Sequence, residues 1–337
     1  MDYDLSGGCE MLDSFRVARY RFTLDCLSPI EFRTFAGSTL RGAFGSVFRR
    51  LVCITRAPTC EGCLLRHQCA YGYVFETAPA PDSQRLRHYD TVPRPYVFDA
   101  PAGDSLAVAE GEQLEFGLTL IGRAVDYFAY FVFTAQKLEE SGLGAGRQEG
   151  KGRFRLTQVE AQRADGQWVS VFRADQGLDM LRVPLIMGKD LVARAQGLSP
   201  HRLHVHFLSP TRLRFEGKLT DEVEFHHLVR AMLHRLSGLL YFHCSAEPSW
   251  DFSGLITLAQ HVRTVQKRIQ WVEQERYSRR QRRRLPMGGF MGEMTVEGNL
   301  EPFLPLLVAA EYVHLGKGTV MGLGKIRIVS EEGSEHD

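Results

Sequence analysis

Leu315-Gly316-Lys317-Gly318-Thr319-Val320-Met321-Gly322-Leu323-Gly324-Lys325-Ile326-Arg327-Ile328 decides the fold, because its glycine spacing occurs once more, 172 residues earlier, at Gly144, Gly146, Gly150 and Gly152. The earlier copy runs into Arg153-Phe154-Arg155-Leu156, as the later one runs into Lys325-Ile326-Arg327-Ile328. Glycines at this density let the backbone take positive φ and approach another backbone or a ligand closely, and the period-two segment behind them reads as a strand. Two such copies, each between a helix and a strand, point to internal duplication.

Working outward, the helical stripe Phe128, Phe131, Val132, Ala135 and Leu138 before the first array has its counterpart in Leu300, Phe303, Leu304, Leu307 and Ala310 before the second. Alternation at Leu114, Phe116, Leu118 and Leu120, and again at Met294 and Val296, places a strand ahead of each helix. Further back, Leu27-Ser28-Pro29 and Leu208-Ser209-Pro210 each end an alternating strand. An amphipathic helix then follows, lined by Leu40, Phe44, Val47, Phe48 and Leu51 in one half and by Leu228, Met232, Leu233, Leu236 and Leu240 in the other. Segment Val262 to Val272 fits both periods and is assigned as a strand because the duplication requires one.

The expected fold is α+β, with tandem ferredoxin-like (RRM-like) βαββαβ domains and a cysteine-rich insertion at 53–69 in the first. The first domain is expected over 14–195, including a hairpin turn at Ala164-Asp165-Gly166-Gln167, and the second over 200–330. Gln196-Gly197-Leu198-Ser199-Pro200 separates them. With 337 residues, 44% hydrophobic and 24% charged, the composition is that of a water-soluble globular chain. No apolar run has the length of a membrane span, and residues 1 to 12 are acidic and polar where a signal peptide would be basic then apolar. The cytoplasm is the expected location, and no membrane partner is expected.

The net charge of +1 hides a local concentration. Between His261 and Arg284 nine Lys or Arg stand against Glu273 and Glu275, while Glu331, Glu332, Glu335 and Asp337 offset them from the tail. Guanidinium groups as dense as Arg276, Arg279, Arg280, Arg282, Arg283 and Arg284 suit phosphates, and Tyr277 and Trp271 offer stacking surfaces. Nucleic acid is the expected partner. Nucleotide loops are excluded by spacing: Gly316-Lys317-Gly318-Thr319 lacks the glycine and hydroxyl positions of a P-loop, and the glycines follow a helix and precede a strand, the reverse of a dinucleotide fingerprint. No nucleotide cofactor is expected.

Cys53, Cys60, Cys63 and Cys69 are spaced C-x6-C-x2-C-x5-C. The spacing suits a structural zinc site of four thiolates, with free thiols and an iron–sulfur cluster as the other readings, and stable disulfides are not expected in the cytoplasm. A four-thiolate site leaves no open coordination position, so no catalysis is assigned to it.

Leu300 to Ile328, Arg276-Tyr277-Ser278-Arg279-Arg280-Gln281 and Gly37-Ser38-Thr39-Leu40-Arg41-Gly42-Ala43-Phe44-Gly45 together resemble the CRISPR pre-crRNA-processing endoribonucleases of the RAMP superfamily, over about Arg16 to Val329. The resemblance implies two ferredoxin-like domains, a role in antiviral defence, and cleavage of CRISPR repeat RNA without a catalytic metal or other cofactor. In that chemistry a 2′-hydroxyl attacks the adjacent phosphate, leaving a cyclic phosphate and a 5′-hydroxyl. It also implies, as a second reading, a noncatalytic RAMP subunit holding guide RNA in a CRISPR effector complex. Many family members carry a histidine near the start of the first helix; here Phe35-Ala36-Gly37-Ser38 stands there, and Arg41 is the nearest polar candidate. The catalytic candidates are therefore His226, His227 and Arg41. The RNA-binding candidates are Arg276, Tyr277, Arg279, Arg280, Gln281, Arg282, Gly316, Lys317, Gly318, Gly322, Gly324, Lys325 and Lys151. Among the other histidines, His201, His204 and His206 alternate on a strand and are expected at its surface.

Overall fold

The computed structural model describes residues 12–330 apart from 80–82, 84–91, 102, 104, 216 and 279–282. The chain divides into two compact units, Ala18–Leu185 and Ile186 onward, the latter with the residues up to Val17.

In the first unit β1 (Arg16–Cys26) and β2 (Ile30–Phe32) lead into α1 (Ala36–Val52) and the short α2 (Ala70–Phe75). Then come β3 (Tyr96–Asp99), β4 (Leu106–Val108), β5 (Gln113–Ile121), α3 (Phe128–Ser141), β6 (Phe154–Gln162), β7 (Trp168–Arg173) and β8 (Gly177–Leu178). The sheet order is β3-β5-β1-β6-β7-β8, and the pairs β1–β6, β3–β5 and β6–β7 are antiparallel. Alternation buries Phe22 and Leu24 of β1 and Phe116 and Leu118 of β5 against Phe44 and Phe48 of α1 and Phe131 of α3. The Phe22 and Phe116 rings stack at 5.0 Å, and Phe44 meets Phe98 at 5.1 Å and Phe131 at 6.3 Å. Aromatic pairs at these distances add about 0.5–1.5 kcal/mol each beyond their buried area.

The second unit opens with β9 (Ile186–Met187), paired with Arg16 and Val17, and α4 (Gly188–Gln196). It continues through β10 (Arg202–Thr211), β11 (Leu213–Phe215), β12 (Lys218–Thr220), α5 (Phe225–His243), α6 (Phe252–Gln260), β13 (Arg263–Val272), β14 (Glu275–Ser278), β15 (Arg283–Pro286), β16 (Gly289–Glu297), α7 (Leu304–Val313) and β17 (Ile326–Val329). Its main sheet runs β13-β16-β10-β17. Numbered by role, both units carry the strand order 2-3-1-4 of the split βαβ arrangement, so the fold is a tandem ferredoxin-like one. The ambiguous segment 262–272 is a strand, in register with β16 from Arg263↔Glu297 to Val272↔Gly289.

The division falls between Leu185 and Ile186, ahead of the break at 196–200. Residues 188–196, expected to close the first domain, instead form α4, which packs on α7. Gly188 permits this, since a Cβ there would lie 1.8 Å from the Leu12 carbonyl oxygen. Helix α7 is apolar and buried at every position but Glu311, which requires cover on nearly all sides; α4 and α5 both contact it, and Arg194 pairs with Glu311. No helix among the described residues is long and apolar enough to cross a membrane.

Candidate nucleic-acid interface

Each glycine array is held in one conformation by the backbone around it. All eight glycines have positive φ, from +70° at Gly146 to +93° at Gly322. The Leu143 N–H donates to the Gly152 carbonyl and the Leu315 N–H to the Gly324 carbonyl, both at 2.8 Å. The Leu-Ser-Pro segments clamp the other side: Gly152 N–H donates to Pro29 at 3.0 Å and Gly324 N–H to Pro210 at 3.1 Å. Ser209 Oγ donates to the Gly322 carbonyl at 2.8 Å and accepts the Lys325 N–H at 2.9 Å. A Cβ on Gly324 would sit 1.8 Å from the Leu315 carbonyl oxygen. These loops are therefore built rigid, and their glycines serve close backbone approach first.

The two copies then differ in what they display. The carbon chain of Lys151 lies over Gly146, where Leu323 lies over Gly318 in the second copy, and its ammonium is 3.8 Å from Glu149. Lys317 projects from the second loop exposed, and the backbone of Lys325 is fixed between Leu208 and Ser209.

The basic segment is a two-stranded ribbon. Arg276 of β14 pairs in register with Leu285 of β15, and Tyr277 with Arg284. Arg284 is ion-paired to Glu275 at 3.3 Å. The candidates Arg279, Arg280, Gln281 and Arg282 lie outside the described residues.

His226 and His227 are brought together at the start of α5, with ring centroids 4.1 Å apart. His227 Nδ1 accepts the Glu224 N–H at 3.1 Å, which leaves the proton of the neutral ring on Nε2, a buried atom without a partner among the described residues. Phe215 of β11 covers His227 at 4.2 Å. Burial lowers both imidazoles below their ordinary value; for His227 the neighbouring His226 lowers it further. Beside them, Thr264 donates to Glu224 at 2.7 Å and Lys267 at 3.1 Å. Burial pushes the Glu224 carboxyl up, but these hydrogen bonds outweigh it and hold it below the usual range. The pair is thus neutral at pH 7, the state in which an imidazole takes a proton. His227 is committed to capping the helix, and His226 carries no such bond.

Arg41 belongs to the other unit, and its donors are directed inward: Nε to the Tyr96 hydroxyl at 3.2 Å and Nη2 to the Phe75 carbonyl at 3.5 Å, with the guanidinium over the Phe75 ring. This is a packing role, and it gives the catalytic expectation for Arg41 no support. The histidines of β10 stand where alternation puts them, His204 bonded to Thr295 at 3.0 Å and His206 facing Glu293 at 3.6 Å.

Cys53, Cys60, Cys63 and Cys69 surround one cavity of about 360 Å³, yet no three His, Cys, Asp or Glu side chains among the described residues are grouped to hold a metal ion. The Thr55 hydroxyl lies 3.8 Å from the Cys53 thiol and 3.7 Å from that of Cys63. The zinc expectation gains no support from this arrangement: the spacing brings the four thiols to one cavity without a ligand set among the described residues.

Glu224, Thr264 and Phe215 were not marked as site residues by the sequence. Thr264 and Phe215 reach the site only through the fold, by a hydrogen bond to Glu224 and a ring contact with His227.

Residues 205–326 match the family model of the CRISPR-associated endoribonuclease Cas6, and residues 15–183 match a model described as an N-terminal domain. No curated protein matches the chain in sequence. Among solved structures, a Cas6 in a product complex is similar at 14% identity and a TM-score of 0.55, covering 93% of this chain and 99% of that one. The Cas6 of Thermus thermophilus is similar at 13% identity and a TM-score of 0.52, covering 94% and 99%. A chain of a partial Cas6-RT-Cas1–Cas2 complex is similar at 13% identity and a TM-score of 0.58, covering 97% of this chain and 48% of that one.

Proposed function

We propose that the chain, whose residues 205–326 match the family model of the CRISPR-associated endoribonuclease Cas6, is a RAMP protein of that kind and cleaves CRISPR repeat RNA without a metal ion, by attack of a 2′-hydroxyl on the adjacent phosphate. The observation that carries this reading is the presence, within one unit, of a rigid glycine loop presenting Lys317 and a neutral histidine pair backed by Glu224 and Lys267, with Arg212 bridged to Gly316 at one end of β11 and Phe215 covering His227 at the other. In the proposed step His226 takes the proton of the 2′-hydroxyl as its oxygen bonds to phosphorus. The bond from phosphorus to O5′ breaks, a proton from the medium satisfies the departing oxygen, and a 2′,3′-cyclic phosphate remains. Lysine and arginine side chains balance the charge that builds on the phosphoryl oxygens. His227 is a positioning residue, holding the ring of His226 through the cap.

RNA is the proposed partner, gripped by the ribbon 275–286 and the loop 316–325. Solved relatives include a Cas6 in a product complex and a Cas6-RT-Cas1–Cas2 assembly, which supports repeat RNA and a CRISPR complex as partners. A second reading, a subunit that holds guide RNA without cutting it, is favoured by the inward commitment of Arg41. The two are separated by His226→Ala. An endoribonuclease should bind repeat RNA within about threefold of wild type while single-turnover cleavage falls on the order of 10²-fold or more. Equal cleavage by both proteins would remove His226 from the mechanism, and binding without cleavage by wild type would select the second reading.

A further inference from the structure

The duplication supplies an internal control for charge. In the first unit the array is tied to the turn after Pro29 at Glu31: Ala145 N–H donates to the Glu31 carbonyl at 2.8 Å, and a Cβ on Gly144 would lie 2.5 Å from that oxygen. In the second unit the same two contacts are made to Arg212: Lys317 N–H donates to its carbonyl at 3.1 Å, and a Cβ on Gly316 would lie 2.4 Å from it. Arg212 bridges Gly316 in parallel, two residues after Pro210, as Glu31 follows Pro29. Glu31, Arg33 and Ala145 thus correspond to Arg212, Arg214 and Lys317.

The backbone is shared, but the charges are not. In the first unit Glu31 neutralises Arg33 at 3.1 Å and the third position is alanine. The second unit gathers three cations, and no acidic side chain among the described residues pairs with any of them. Arg212 Nη1 donates to the Pro286 carbonyl at 2.8 Å, at the foot of the basic ribbon, while its Nε is buried with no partner among the described residues. Arg214 and Lys317 are exposed. Burial, and then Arg214 and Arg212, push the Lys317 ammonium below its ordinary value; burial and Arg214 lower Arg212 in the same way. The cations therefore lie close enough to repel one another, a cost that the loop does not require, since the first unit builds the same loop without it. A bound anion would offset it.

We infer that Arg212, Arg214 and Lys317 form a binding site for a phosphodiester of the RNA backbone, at the junction of the glycine loop and the basic ribbon. This rests on the RNA-cleavage reading above and adds two residues and a location to it. Arg214 and Lys317 contact the phosphate oxygens. Arg212 is the positioning residue: its carbonyl fixes the loop and its guanidinium the ribbon. An RNA strand is the source favoured over a free phosphate or nucleotide, because two of the three cations stand on open surface, where a lone small anion would remain largely hydrated.

The test is the salt dependence of repeat-RNA binding by the full chain, comparing wild type with Arg214→Gln, Lys317→Gln and, as the mirror control, Arg33→Gln. Each of the first two variants should reduce the slope of log K against log salt by about 0.7–0.9, the change expected when the protein neutralises one phosphate fewer, and should weaken affinity roughly 3- to 10-fold; Arg33→Gln should match wild type. Slopes unchanged in both variants, with wild type binding normally, would overturn this site and leave the cleavage reading standing. Failure of wild type to bind repeat RNA even at low salt would overturn the cleavage reading itself. Displacement of RNA by millimolar inorganic phosphate from wild type but not from Lys317→Gln would identify a free-phosphate site instead, and would also overturn the inference.

Discussion

An alanine at position 324 would place its Cβ 1.8 Å from the Leu315 carbonyl oxygen on a backbone already at φ +74°. Gly150, at φ +79°, has nothing within 4 Å of the same point. The left-handed conformation alone costs a residue with a side chain roughly 1–2 kcal/mol, so Gly150→Ala should cost about that. Gly324→Ala adds a clash with backbone and should cost about 3 kcal/mol or more, which urea denaturation of the two variants would measure. The histidine pair gives a pH signature at the same scale. Because burial lowers both imidazoles, the unfolded chain binds protons more readily than the folded one. Their contribution to stability is complete above the ordinary value of about 6.5 and declines as pH falls from there toward the lowered values. The loss in urea midpoint between about pH 7 and 5 should shrink in the His226→Gln and His227→Gln double variant; an unchanged pH slope would mean that neither ring is held neutral. The sequence showed both histidines but not their fates. That His227 caps its helix depends on a hydrogen bond, and that Arg41 turns inward depends on Tyr96 and Phe75, which only the folded sheet brings near it.

Among elements, the Leu-Ser-Pro clamps account for why the glycine arrays are followed so regularly by strands. Ser209 is buried and makes two hydrogen bonds that close its loop. Ser28 makes the equivalent pair with a 3.5 Å bond to the Gly150 carbonyl and a 2.9 Å bond from Arg153 N–H, in a more open setting. Ser209→Ala should therefore destabilise by about 2 kcal/mol and Ser28→Ala by about half of that, a difference readable in thermal unfolding. Equal losses would show that the clamps are not ranked by burial. These elements were legible in the sequence, because glycine spacing, the paired Leu-Ser-Pro segments and the helical stripes all repeat in register. Helix α4 was not, since its nine residues follow no counterpart in the first half and it is held by Leu12 and Glu311, far away in sequence. Nor was the cation trio, because Arg212 is recognised only once the clamp aligns it with Glu31.

For the whole molecule, a duplicated fold has diverged in chemistry while keeping its geometry. Both units carry the strand order 2-3-1-4 and the same pinned loop, but only the second carries Arg212, Arg214 and Lys317 around that loop, the neutral histidines and the ribbon. The cysteine segment shows the limit of spacing as a guide: a C-x2-C core with flanking cysteines brought four thiols to one cavity but no ligand set. The most direct measurement of the central claim is incubation of the full chain with its repeat RNA in excess EDTA, followed by analysis of the product ends. The account predicts cleavage at one position in each repeat, with a 2′,3′-cyclic phosphate on the upstream product and a 5′-hydroxyl on the downstream one. Cleavage abolished by EDTA, or products bearing a 5′-phosphate, would contradict it.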